Sequence, residues 1–387
     1  MSAFINEDNK SLDLVFCMDC TGSMGPYINK AKESIESIVT NIVEKSGCND
    51  VLFGLVAYRD HPPQDKTFIT KKFNFTNKLE TMQSYLNELV ASGGGDGPEA
   101  LTSALFEIKN MEWREETTKI VIVITDAPPH GLGEYGDGFL NGDPDGHDPI
   151  IITKDLAKKG ITIYSVGCEP EINKYKFARA FLISLANLTG GQSIGLENAN
   201  SLADVILGST IEELGITKLL DKVEEETIKV KYMYTSSGRS YTDDIVLNDV
   251  YNNLRRDRHV TPQIRGCTMM RDISEGIIEG SDDLASARRN LISNKRDITS
   301  EPITPLTKYR RFDDLSLPPF DDLPLPPFDD LSLPPFDDLS SPPFGDLSSP
   351  PLESNKKSDK IDVIDDIITK DQVKRLISRN TSKSSSK

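Results

Sequence analysis

Residues 12–26 read LDLVFCMDCTGSMGP. The run LDLVFCMD over residues 12–19 is a continuous apolar stretch, as expected of a strand buried on both faces of a parallel sheet. Directly after it, Ile28, Ala31, Ile35, Ile38 and Ile42 recur at spacings of three and four, with Pro26 ahead of them, which predicts an amphipathic helix with proline in its first turn. A buried strand, a short loop rich in hydroxyls and glycine, and then a helix is the opening of a parallel α/β unit.

The pattern repeats outward from there. Strands are expected at 51–60, 119–126 and 161–168, a short edge strand at KKFNFT and another at GQSIGL, with helices at KLETMQSYLNELV, PEALTSALFEIKNM, DPIIITKDLAKKG, KYKFARAFLISLANLT and from Ser201 to about Lys222. Alternation of this kind implies right-handed crossovers. The expected fold class is therefore α/β, a doubly wound, mostly parallel, Rossmann-like open sheet with helices on both faces, occupying residues 10–222 behind a short tail at 1–9. Residues 223–300 are read as a small α/β appendage, in which TIKVKYMYTS has strand alternation and SDDLASARRNLISNK is helical.

After a linker at 301–311, residues 312–351 are five tandem octapeptides of the type FDDLSLPP, holding 11 of the chain's 23 prolines and nine aspartates but no lysine or arginine. That composition cannot bury a core and favours extended polyproline II backbone. A disordered acidic stalk is expected, in which Phe320, Phe328 and Phe336 recur every eight residues, either as contacts for a weak multivalent partner or within a plain spacer. Within the tail at 352–387, Ile361, Ile364, Ile368, Val373, Leu376 and Ile377 mark a short amphipathic helix.

The formal net charge of -17 repels nucleic acid and anionic membrane surfaces, which argues against either as a partner. The five cysteines are scattered, with no CxxC pair, as in a reducing compartment. No secretory signal and no apolar run of bilayer length is visible, so a cytoplasmic location is expected. Ser341, Ser349 and Thr304 each precede proline and are compositional candidates for phosphorylation.

Three segments fall just past the carboxyl ends of predicted strands, where an open parallel sheet gathers ligands. DCTGSM offers Asp19, Thr21 and Ser23 at alternate positions; SGGGDGPEA offers Asp96; and KIVIVITD closes on Asp126. Hydroxyl and carboxylate oxygens suit a hard cation such as Mg²⁺ or Mn²⁺, and Gly22 and Gly25 let the first loop turn tightly. Glu99 is read as an acid in the first turn of the helix opened by Pro98, complementing the helix dipole, and Gly22, Gly97 and Glu99 as residues that a partner touches. The loop NGDPDGHD has Asn141, Asp143, Asp145 and Gly146 in calcium-loop order, but Ile152 stands where that loop needs glutamate, so no calcium site is assigned.

DxTxS after a buried strand, GGGD before a helix and ITD at a later strand end together resemble the metal ion-dependent adhesion site of von Willebrand factor type A domains. DCTGSM, GGGDGPEA and GDPDGHDP are most similar to the intracellular branch found in protist proteins, some of which join this domain to an atypical α-kinase domain; no Gly-rich nucleotide loop follows residue 226 here. The resemblance implies Asp19, Thr21, Ser23, Asp96 and Asp126 as the site positions, a divalent cation as cofactor, and a non-enzymatic role in binding a protein. Thr21 replaces the usual middle serine, and Asp96 stands where many adhesion members have threonine; an added carboxylate tightens the ion while weakening its pull on an acidic ligand. The alternative is a metal-dependent phosphohydrolase with Asp19 as nucleophile, since DCTGS also resembles the DKTGT loop of phosphoaspartate-forming transport ATPases.

Overall fold

β1 (Ser11–Asp19) pairs in parallel with β2 (Asp50–Tyr58) on one side and β4 (Thr118–Thr125) on the other. All of its residues after Ser11 are buried, which is why its apolar run lacks polar alternation. In this computed structural model the described residues are 11–46, 48–272, 274, 276–298 and 361–384. The octapeptides, with Phe320, Phe328 and Phe336, and the three Ser/Thr-Pro sites lie outside them.

The seven-stranded sheet has the order β3-β2-β1-β4-β5-β6-β8. Its core strands β2, β1, β4, β5 (Ile161–Cys168) and β6 (Ser193–Leu196) run parallel, while β3 (Thr70–Thr76) and β8 (Thr268–Met269) close the edges antiparallel. α1 (Gly25–Ser46), α2 (Leu79–Asn87) and α6 (Leu202–Thr217) cover one face, burying Ile28, Ile35, Ile42, Met82 and Val205 with Leu14 and Ile122. α3 (Leu101–Lys109), α4 (Pro149–Lys158) and α5 (Ala178–Thr189) cover the other, where Leu105, Leu156 and Phe181 meet Val15 and Val121. Each large aliphatic side chain buried in this way contributes roughly 1.5–3 kcal/mol. The mostly parallel sheet between two helical layers is the doubly wound architecture expected.

The order reverses at β1, because β2 lies to one side of it and β4 to the other. That switch point opens a crevice at the carboxyl ends of β1 and β4, and it is there that open α/β sheets bind ligands.

Beyond residue 217 the structure departs from expectation. TIKVKYMYTS is not a strand; it lies in α7 (Leu220–Ser236). Val223 and Val230, seven residues apart, are buried against Val246 and Val250 of α8 (Asp243–Arg256) and Val373 and Leu376 of α10 (Lys370–Ser384). Helical packing partners overrode a local alternation that was itself ambiguous. The helix expected from Ser201 to Lys222 is broken between α6 and α7. In the tail, Ile361–Ile368 is not helical: β9 (Asp362–Ile367) pairs antiparallel with β7 (Val260–Arg265), and only α10 after it is a helix.

The region after 222 is also tied closely to the sheet. β8 hydrogen-bonds β6, and α9 (Leu284–Ile298) sends Leu284, Ala287 and Leu291 into the same core as Leu132 and Ile150. α10 carries Arg375, only 5% exposed, onto Glu212 of α6 at 2.6 Å. Arg379 of the same helix pairs with Glu213 at 2.5 Å. Among the described residues no helix is long and apolar enough to cross a membrane.

Candidate metal centre

Asp19 ends β1 and is fully buried. Its Oδ1 accepts from Thr21 N at 2.9 Å and from Thr21 Oγ1 at 2.7 Å, and its Oδ2 from Thr125 Oγ1 at 3.0 Å. Asp19 therefore shapes its own loop: the Asx-type bond to Thr21 N turns the chain. It also fixes the Thr21 hydroxyl as a donor inward, so that the hydroxyl's lone pairs remain available elsewhere. Asp126 follows β4, is 4% exposed, and receives a hydrogen bond from Ser23. Its Oδ2 is buried with no hydrogen-bond partner.

The third segment is held by its glycines. Gly22 N donates to Gly93 O at 3.2 Å, joining the first loop to the GGGD turn. Gly93 and Gly94 have φ of +81° and +82°, and a Cβ on Gly94 would stand 2.7 Å from Glu99 Oε1. Side chains other than glycine are strained in that backbone region and would occupy the space into which Glu99 reaches.

Thr21, Ser23, Asp96, Glu99 and Asp126 line one open depression of about 190 Å³, together with Gly22, Gly97, Glu171 and Tyr175. Asp19 sits behind Thr21 as its hydrogen-bond acceptor. The loops from β1 and β4 and the GGGDGPEA turn thus meet at one end of the sheet, although Asp19 and Asp126 are 107 positions apart.

Two residues sit differently from expectation. Asp96 lines the depression, but its Oδ2 accepts from Gly138 N and its carboxyl group faces Asp60. Glu99 is not in the first turn of a helix, because α3 begins at Leu101. Its own N–H donates to Pro128 O at 2.9 Å, and its side chain is buried among Asp19, Asp60, Asp96 and Asp126 rather than spread over a helix end. Gly97 lies against Tyr175, whose hydroxyl donates to Gly97 O at 2.9 Å.

The electrostatics follow from burial of like charges. Desolvation, then the charge of Asp126, raises Asp19 to about 7. Desolvation raises Asp126 too, against the Ser23 hydrogen bond. Asp96 rises to about 6, and Glu99, buried beside four other carboxylates, to about 11. Crowded, desolvated acids of this kind either hold protons or take up a cation.

The sequence reading did not assign Asp60, His130 or Asp137 to the site. His130 bridges the two acids, with Nε2 at 2.7 Å from Asp60 Oδ1 and Nδ1 at 2.8 Å from Asp137 Oδ1. Burial alone would lower His130, but hydrogen bonds to both carboxylates carry it up to about 9. Asp60 closely follows β2, so the rule that selected Asp19 and Asp126 applied to it as well. Asp143, Asp145 and His147 also cluster. There Asp143 is taken up by Ser103 Oγ and Asp145 N, and His147 stacks on Phe106 with ring centroids 3.8 Å apart. Cys17 and Cys20 are buried packing residues.

Over 159 residues the chain is 35% identical to the alpha-protein kinase vwkA of Dictyostelium discoideum, covering 40% of this chain and 25% of that protein. Over 220 residues it is 30% identical to a putative ariadne-like RING finger protein of Acanthamoeba polyphaga mimivirus, covering 54% and 20% respectively. The chain thus spans a quarter or less of the length of these two curated relatives. Among solved structures it is similar to a von Willebrand factor type A protein from Catenulispora acidiphila, at 15% identity and a TM-score of 0.36 over 54% of this chain and 43% of that one. It is likewise similar to the pilus adhesin SpaC of Lactobacillus rhamnosus GG, at 15% identity and a TM-score of 0.40 over 54% and 31%. The family profile described as the von Willebrand factor type A domain matches residues 13–205, and those residues of the chain are a von Willebrand factor type A domain.

Proposed function

We propose that this chain is a protein-binding module that holds a divalent cation, Mg²⁺ or Mn²⁺, at the crevice between β1 and β4. The observation that carries the reading is the bare Oδ2 of Asp126, buried in the wall of a depression that also presents Thr21 and Ser23. A buried carboxylate oxygen without a partner costs several kcal/mol unless a proton or cation meets it. Asp126, Ser23 and Thr21 would hold the ion, Asp19 would orient Thr21, and Asp96 and Glu99 would supply carboxylates from the third segment. All donors are oxygen, which fits a hard cation and not zinc.

When bound, the ion would supply a Lewis-acidic centre at an open rim, its pull on an acidic group of a partner weakened by the added carboxylates. The flanking Gly22, Gly97 and Tyr175 line that rim. The five scattered cysteines, with no CxxC pair, suit a cytoplasmic setting, and the net charge of -17 disfavours nucleic acid as partner. The acidic octapeptides, with Phe320, Phe328 and Phe336, would add weak repeated contacts through effective concentration.

The phosphohydrolase alternative is less well supported. Its nucleophile would be Asp19, which is fully buried and already accepts three hydrogen bonds. No phosphomonoester turnover is expected from the full chain; turnover abolished in Asp19→Asn would revive the enzyme.

The test of the binding reading is affinity capture of protein partners with Mg²⁺ or with EDTA, using Asp126→Ala as control, alongside thermal melts. At free cation about a hundredfold above Kd, linkage gives about 2.7 kcal/mol, or roughly 5–10 °C in a unit of this size. Capture and melting temperature that ignore both Mg²⁺ and the substitution would refute the reading.

A further inference from the structure

The segment 361–384 is seated on α5, α6, α7, α8 and β7, all of which precede it by more than 90 positions. Backbone recognises its first part. Val260 to Arg265 of β7 pair with Ile367 to Asp362 of β9 in antiparallel register, and among the described residues β7 has no other strand partner. This is the geometry of a peptide that adds a strand to an exposed edge.

Side chains recognise the second part, on two faces of α10. Val373 and Leu376 are buried with Val223, Val230, Val246, Val250 and Leu254. Gln372, Arg375 and Arg379 recur at spacings of three and four, so they form one row along the helix. Gln372 accepts from Thr261 Oγ1 at 2.8 Å and donates to Pro262 O at 3.1 Å. Arg375 donates to Glu212 at 2.6 Å, to Gly190 O at 3.0 Å and to the Tyr164 hydroxyl. Arg379 donates to the two oxygens of Glu213 at 2.5 and 2.6 Å and to Gly190 O at 2.6 Å.

The seat for that row is built in acid. Glu212 and Glu213 are 2% and 1% exposed, and among the described residues their ion pairs are all with these two arginines. Gly190 caps the carboxyl end of α5, the negative pole of that helix. An empty groove would leave two buried carboxylates without a cation, which is the costly case. The groove therefore calls for an occupant of defined chemistry: an extended strand leading into a helix with arginines four residues apart.

None of these contacts depends on which chain supplies the segment. Residues 299–360 are its covalent link to α9, and a link of that length reaches at most about 200 Å. A compact unit of this size has a radius of gyration of only roughly 20 Å. The preference of a tethered segment for its own groove falls as the tether lengthens, and exchange of an identical element between copies keeps every contact.

We propose that α5, α6, α7, α8 and β7 form a receptor groove for the 361–384 segment of a second copy of this chain, so that reciprocal exchange of β9 and α10 joins two von Willebrand factor type A domains.

Val260 and Ile367 stand opposite each other and are both exposed, and opposed residues of an antiparallel pair lie within disulfide reach. Two differently tagged full-length chains, one carrying Val260→Cys and the other Ile367→Cys, are co-expressed, purified and mildly oxidised at rising concentration. The expected result is a disulfide-linked heterodimer whose yield rises with concentration, with no such linkage in either variant alone. Arg265→Cys with Asp362→Cys, opposed at the other end of the ladder, serves if the first pair does not fold. Ile151→Cys, exposed on α4, replaces Ile367→Cys as the collision control, and an equal dimer yield with it overturns the proposal. A disulfide that forms within one chain carrying both Val260→Cys and Ile367→Cys, but never between co-expressed chains, also overturns it and leaves the segment bound to its own groove alone.

Discussion

Thr125 Oγ1 donates to Asp19 Oδ2 at 3.0 Å, binding the end of β4 to the end of β1 across the switch point of the sheet. The same hydroxyl accepts from Ala127 N at 3.1 Å, so one side chain holds Asp19 and the turn that carries Asp126. Thr125→Val keeps the shape and removes the hydroxyl. It leaves Asp19 Oδ2 buried and unsatisfied, a cost of about 1–3 kcal/mol. Urea denaturation in EDTA should show a loss in that range, and calorimetric titration should show weaker Mg²⁺ binding; an unchanged affinity would mean that Asp19 does not need this support.

The buried acids make stability and cation binding depend on pH in opposite directions. Burial first, then Asp126, raises Asp19 to about 7, and burial raises Asp96 to about 6. With both native values above those of the unfolded chain, the native state binds more protons between about pH 4 and pH 7. The metal-free chain therefore loses stability as pH rises through that window. The proposed cation would need the ionised carboxylates, so its stabilising effect is expected to grow over the same range. Melting temperatures taken from pH 5.5 to 8 should fall in EDTA, while the increment given by Mg²⁺ widens; an increment that is flat across the range would contradict the assignment.

Gly93 has φ of +81°, and a Cβ there would stand 1.7 Å from Asp65 Oδ2. Its carbonyl receives Gly22 N, so a shift of Gly93 moves the loop that carries Thr21 and Ser23. Gly93→Ala should destabilise by more than about 1 kcal/mol and lower cation affinity besides. Gly136→Ala is the control: it shares the positive φ but would meet no atom within 4 Å. Equal effects on cation affinity in the two variants would show that backbone strain alone accounts for the change.

Arg375 is buried against Glu212 at 2.6 Å, and its guanidinium also reaches Gly190 O at 3.0 Å. Arg375→Ala strips Glu212 of its charged partner in the interior. Removal of one member of such a pair costs about 3–5 kcal/mol. Chemical denaturation should show that loss, and limited proteolysis should show earlier cleavage in the 361–384 segment; a loss under about 1 kcal/mol would mean that α10 is not needed to neutralise α6.

The strand–helix alternation, the doubly wound class and the three acidic loops were legible in residues 12–168 because periodicity and strand-end position are local properties. Continuous apolar runs such as LDLVFCMD and KIVIVITD are dictated by burial on both faces, and the residue that ends such a run is delivered to the rim of the sheet. Local reading failed where partners decide the outcome. Residues 227–236 alternate like a strand, yet α8 and α10 select the helix that buries Val223 and Val230. Residues 362–367 pair with β7, more than 90 positions earlier in the chain.

At the candidate site, the sequence by itself determined which oxygen-bearing residues arrive at one end of the sheet: Asp19, Thr21, Ser23, Asp96 and Asp126. Only the tertiary structure decided how each carboxylate is used. Asp96 turns toward Asp60, Glu99 leaves the helix end for the acidic cluster, and Asp60 is oriented by His130 and Asp137. The reason is physical: a strand end specifies where a side chain starts, whereas the direction of a buried carboxylate is set by which donors from other loops reach it first, and those donors are neighbours only after folding.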